Sequence, residues 1–169
     1  YRGRRTGCSA SSWWRGMTDA FAKRSGNRWQ VMLVDGPCFA DGLAEDLRND
    51  TCGALIVFSG VIRNHNVNRP AVAVEYDMHE EIALNTLSRL VDEVSSAYDC
   101  WICVVHSRGK VFVGQASVII ISASAHRREA YAASEEVIDR LKKEVPIWKK
   151  EIRPDNTVSW LDGTSIRRD

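Results

Sequence analysis

A chain of 169 residues, 44% hydrophobic and 27% charged, has the apolar material for one domain with a substantial core. Its net charge of +1 excludes a general polyanion binder, and no apolar run approaches the ~20 residues needed to span a bilayer. Five cysteines, an odd number without a disulfide-scaffold spacing, suit a reducing compartment, so a cytosolic protein is expected.

The charge is unevenly spread. Residues 1–28 hold seven basic side chains against the single acid Asp19, a net +6 that leaves −5 for the rest. This Arg- and Ser-rich stretch reads as a disordered leader outside the fold, with organelle targeting as the alternative. A domain is expected over 29–162, and 163–169 form a tail.

Alternation over 29–34 predicts a first strand, turned by Gly36-Pro37. Leu43, Ala44 and Leu47 fall at helical spacing in a short helix over 40–48. A buried strand follows over 53–62, then a polar loop over 64–70. A strand over 71–76 would put Val72, Val74 and Tyr76 on one face. The longest helix, 80–98, has Ala83, Leu87, Leu90, Val91, Val94 and Tyr98 as its apolar stripe. Strands are expected at 101–105, 110–113 and 116–123, and a helix over 128–143 buries Ala130, Ala133, Val137, Ile138 and Leu141. Two strands, 148–152 and 157–160, close the chain. Hairpin-like strand pairs mixed with two long helices make this an α+β fold.

Three segments carry cations at element ends. A strand delivers Arg63 through Phe58-Ser59-Gly60-Val61-Ile62-Arg63, and another, ending at Ser124-Ala125, delivers His126-Arg127 where a helix begins. Proline at 146 stops that helix just beyond Lys142-Lys143, and Trp148-Lys149-Lys150-Glu151 follows. Lysines on both sides of a fixed bend can face one pocket, as anion clamps or, with a lowered pKa, as nucleophiles. A solvated charge run is the plain alternative. Cys100-Trp101-Ile102-Cys103 is formally a CxxC, but in a strand its cysteines point to opposite faces, and there is no second pair for zinc. The histidines 65, 79, 106 and 126 are scattered without ligand spacing, so no metal is expected. Neither a GxxxxGKS loop nor an RNP-like aromatic motif is present, which argues against a nucleic-acid partner.

Phe58-to-Asn66, Ser124-to-Arg127 and Val145-to-Glu151, in this order and at these separations, resemble the large, catalytic subunit of molybdopterin synthase; the likeness runs from residue 31 to about residue 160. The resemblance implies an α/β hammerhead-type fold with a small antiparallel subdomain. It implies a sulfurtransferase that converts cyclic pyranopterin monophosphate to molybdopterin, inserting two dithiolene sulfurs. Each sulfur arrives as a thiocarboxylate on the C-terminal Gly-Gly tail of a small ubiquitin-like subunit. The large subunit is a homodimer, giving a heterotetramer, and needs no cofactor of its own.

Carried over residue by residue, Arg63 is the pocket arginine, with Val61 and Ile62 along the same wall. His126 and Arg127 are the His-Arg pair that binds substrate. Lys142 is expected to contact the thiocarboxylate or a covalent intermediate, and Lys149 to hold substrate oxygens. Lys150 and Glu151 fall at further binding positions, Lys143 faces solvent, and Trp148 is expected in the core. The family's His-Arg-x-Gly turn stands here as His106-Ser107-Arg108-Gly109, with the arginine displaced by one, and Gln115 replaces a common acid. Arg167 or Arg168 could supply the cation that the family borrows from a neighbouring subunit. An idle binding module for a ubiquitin-like tail is the competing reading, although a tail carboxylate needs only one or two cations.

Overall fold

The computed structural model describes residues 20–66 and 69–161. In chain order the elements are β1 (Ala20–Ser25), β2 (Trp29–Asp35), α1 (Leu43–Asp46), β3 (Ala54–Val61), β4 (His65–Asn66), β5 (Arg69–Pro70) and β6 (Ala73–Met78). They continue with α2 (Glu80–Tyr98), β7 (Trp101–Phe112), β8 (Ala116–Ser124), α3 (Arg127–Glu144), β9 (Ile147–Ile152) and β10 (Val158–Leu161). Strands β4 and β5 form a separate two-stranded hairpin within the predicted polar loop.

One strand organises the sheet. β7 runs parallel to β2 and antiparallel to β8 along residues 101–108, and its last residues, Gly109 to Phe112, pair with β6 instead. On one side the order is β1-β2-β7-β8-β3; on the other it continues β6-β9-β10. The predicted turn at His106-Ser107-Arg108-Gly109 is therefore extended, and the two strands expected at 101–105 and 110–113 are one strand of 12 residues. Gly109, at φ 76°, sits where the strand leaves one set of partners for the other, a backbone state that favours glycine. This mixed α+β arrangement, with a small antiparallel wing, is the expected fold class.

Alternation along the strands builds a core on each face of the sheet. Val31, Leu33, Ile102, Val104 and Ile120 pack under α2 and α3, against Leu87, Leu90, Val94, Val137 and Leu141. Met32, Val34, Cys103, Val105, Ile119 and Ile121 pack on the other face against Leu43 and Leu47 of the α1 region. Cys100 and Cys103 accordingly belong to different cores, and the cysteines 38, 52, 100 and 103 are all free thiols.

Several expectations need correction. Residues 20–28, grouped with the leader, belong to the domain: β1 pairs antiparallel with β2, and the Arg108 guanidinium lies 3.6 Å over the Phe21 ring. The hairpin is fastened to α2 and the residue that caps it through Arg28–Asp99 and through Trp29 Nε1, which donates to Asp92 at 2.5 Å. Basic composition hid a strand whose apolar contacts come from Phe21 and Ala22. The rest of the leader, and the tail with Arg167 and Arg168, lie outside the described residues. The helix predicted over 40–48 shrinks to four residues behind Gly42 at φ 78°. Val72 precedes β6 and is exposed, so of the three expected residues Val74 and Tyr76 are buried, and Met78 continues their face. Trp148 is 52% exposed rather than core, because β9 alternates and its inward positions fall to Ile147 and Lys149.

Candidate active site

A cleft of about 370 Å³ opens where β3, β6, β7, β8, the end of α3 and β9 converge. Its first wall is the end of β3. Gly60 lies opposite Val118 of β8, and a bulge follows, so that Val61 pairs with Ala116 and Ser117 is left over. The Ser117 hydroxyl turns inward, donates to the Gly60 carbonyl at 3.3 Å and accepts from the Tyr76 hydroxyl at 2.9 Å. A Cβ on Gly60 would come within 2.5 Å of Val118 Cγ1, so this close strand approach requires glycine. Val61, buried Ile62 and exposed Arg63 continue the wall.

The second wall comes from the bend at Pro146. Helix α3 ends at Val145, whose backbone is already extended, and the chain turns directly into β9. Period-two alternation then sorts the cationic run. Ile147, Lys149 and Glu151 line the cleft beside Leu141, Lys142 and Val145. Lys150 projects from the opposite face, its ammonium 4.6 Å from the centre of the Trp160 ring. The Lys150 side chain therefore lies off the cleft, and only its backbone, in β9 between Lys149 and Glu151, runs beside it. Lys143 is exposed, as expected.

The floor is Val74 and Tyr76 of β6 and His106 of β7. His106 stands on the same strand face as Ile102 and Val104, four and two residues back, but beyond the cover of the helices. Its Nδ1 lies 2.9 Å from the Ser107 carbonyl, and its ring meets Tyr76 edge-on at 5.3 Å between centroids. Sequence reasoning passed over Tyr76, Ser117 and His106 as site residues. Two signals were available for His106: its register with a buried strand face, and its place at the head of the His106-Ser107-Arg108-Gly109 segment.

Charge in the cleft is lopsided: Arg63, Lys142 and Lys149 against the buried Glu151. Burial lowers the Lys149 amine below the ordinary lysine value, and the nearby Lys142 charge pushes it the same way. His106 is pushed down to about 4, chiefly by burial and further by Lys149, against the opposing hydrogen bond to Ser107. An amine with a lowered pKa gives up its proton more readily than a free lysine, and it can act as a base or nucleophile. The arginine and second lysine remain to grip an anion.

The His-Arg pair is elsewhere. His126 is the N-cap residue of α3 and Arg127 its first residue, and both line a separate depression with Gly53, Arg128 and Glu129. Lys142 is in the last turn of the same helix, so at 1.5 Å per residue the two cationic groups are about 24 Å apart. One copy of the chain brings Val61, Ile62, Arg63, Lys142, Lys149 and Glu151 together; it does not add His126 and Arg127. Among the described residues no cluster of three or more potential metal ligands occurs.

A mixed sheet with two covering helices, and a cationic cleft where the sheet changes partners, define a protein built to hold a small anionic molecule beside a perturbed lysine. The family model described as MoaE protein matches residues 34–144, and the chain belongs to this family, that of molybdopterin synthase catalytic subunits. It is 39% identical over 121 residues to the molybdopterin synthase catalytic subunit of Nostoc sp., covering 70% of this chain and 72% of the relative. It is 32% identical over 132 residues to that of Bacillus subtilis, covering 78% and 80%. The crystal structure of molybdopterin synthase from Staphylococcus aureus superposes with a TM-score of 0.71 at 32% identity, covering 76% of this chain and 94% of that one.

Proposed function

We propose that the cleft is the site at which this chain, as a molybdopterin synthase catalytic subunit, inserts two sulfurs into cyclic pyranopterin monophosphate. The observation that carries this reading is the meeting of Arg63, Lys142 and Lys149 in one cleft of a MoaE-family chain. The arginine fork suits the cyclic phosphate. Lys142, at the exposed end of α3, meets the thiocarboxylate tail of a small ubiquitin-like subunit. Lys149, partly desolvated, supplies an amine that sheds its proton more readily than a free lysine as oxygen leaves and sulfur arrives. Glu151 and the wall residues Val61 and Ile62 orient the substrate.

His126 and Arg127 serve the cleft of a second copy. The separation of about 24 Å along α3 prevents them from reaching their own chain's cleft, whereas a twofold dimer repeats every surface and can set one copy's helix start against the other's lysines. The described cysteines are free thiols and no described helix is long and apolar enough to cross a membrane, which supports a place in the reducing cytosol.

Reconstitution tests the whole reading. Mixing the purified chain with thiocarboxylated small subunit and cyclic pyranopterin monophosphate is expected to yield molybdopterin. Complex formation without product would leave only a binding module for the ubiquitin-like tail.

A further inference from the structure

We propose that His106 is a substrate-reading residue, accepting at its Nε2 a hydrogen bond from an N–H or O–H of the bound heterocycle. The inference rests on the reading of the cleft as the pterin site and adds a residue to it.

The tautomer follows from the surroundings. The Ser107 carbonyl can only accept, so Nδ1 carries the proton and Nε2 is left with its lone pair. Nε2 has no partner among the described residues. It is also not one of the sealed, unpartnered polar atoms of the interior, which are Ser88 Oγ, Glu129 Oε2 and Arg153 Nε. His106 is only 4% exposed, and the space it meets is the cleft. Burial and the Lys149 charge keep the ring neutral at physiological pH, so the lone pair stays available.

Such a group complements the cleft. In their charged forms Arg63, Lys142 and Lys149 are donors without lone pairs, so as cations they read only the acceptors of a ligand. The Tyr76 and Ser117 hydroxyl protons and the Gly60 carbonyl are engaged with one another. For a ligand that carries donors as well as a phosphate, the neutral His106 Nε2 is an acceptor with no partner among the described residues, beside the Glu151 carboxylate and the remaining lone pairs of the Tyr76 and Ser117 oxygens. The edge contact with Tyr76 and the bond to Ser107 hold the imidazole in place, so little ordering is left for binding to impose.

Binding of cyclic pyranopterin monophosphate to the full chain in complex with the small subunit tests this, with inorganic phosphate as a competitor lacking the heterocycle. His106→Phe keeps the ring and loses the nitrogen; it is expected to weaken substrate binding about tenfold while leaving phosphate competition unchanged. His106→Gln, which can return an acceptor at the same reach, is expected to recover most of that loss. Unchanged substrate binding in His106→Phe, or equal weakening of substrate and phosphate, overturns the inference. A wild-type chain that binds no substrate overturns the reading beneath it as well. Nitrogen-15 NMR of the wild-type histidines needs no variant. The His106 Nε2 signal should have lone-pair character and move upfield on substrate addition, and an unmoved signal defeats the assignment.

Discussion

Lys149 shows how one side chain can be poised for chemistry at a cost in stability. Its burial and its proximity to Lys142 both oppose the ammonium, and its amine titrates below the ordinary lysine value. Below that lowered pKa the folded state carries the penalty in full, and the penalty is relieved only as the pH rises toward the unfolded value. Lys149→Met is therefore expected to lower the rate of molybdopterin formation by roughly a hundredfold or more without lowering the urea midpoint at pH 7. Activity within a few-fold of wild type would refute the assignment. Lys142→Gln should raise the Lys149 pKa, as read by side-chain NMR. His106 has a pH signature of its own. The unfolded ring binds a proton below about 6.5 and the folded ring only near 4, so stability is complete above the first value and falls as pH drops through the window. The loss is at most about 3 kcal/mol. Denaturation at pH 7 and pH 5 should show a drop in the wild type that shrinks in His106→Gln.

At the level of elements, two junctions create the cleft. Pro146 converts the end of α3 into the start of β9 with no intervening loop, so Lys142 and Lys149 approach from different elements. The bulge after Gly60 frees Ser117 to face inward, and Gly60 lets β3 and β8 close over Val118. Gly60→Ala is expected to destabilise the fold by about 1–3 kcal/mol through overpacking, with reduced activity as the wall shifts. A thermal melt and an activity assay check both, and a neutral effect would mean that Val118 can yield. The helices were legible because their apolar stripes recur at 3.6 residues, and α2 spans the predicted 80–98. β1 was not, since its six residues include Lys23 and Arg24, and besides the adjacent β2 it is held by Arg108, a partner far along the chain.

For the whole molecule, the length of α3 sets the distance between its two cationic groups. A rigid helix of 18 residues holds His126 and Arg127 at one end and Lys142 at the other, so any common ligand requires two copies. Mixing inactive Lys149→Ala chains with inactive Arg127→Ala chains should therefore restore activity. With random pairing, half the dimers are mixed and each holds one intact site, giving about a quarter of the wild-type rate. No recovery after subunit exchange would mean that each site is built from one chain.

The sequence by itself determined the two long helices, the alternating strands and the cations at their ends. These depend on local periods and on breakers such as Pro146, which act within a few residues. The motifs around Arg63, Lys142 and Lys149 also disclosed the family, because their order and spacing are linear facts. Only the tertiary structure decided that His106, from the middle of a strand, forms the floor beneath Lys149, and that Lys150 turns away while Lys149 turns in. It also decided that the His-Arg pair stands apart. Those outcomes depend on which strands meet across the sheet and how far a helix reaches, and both follow from the packing of segments distant in the chain.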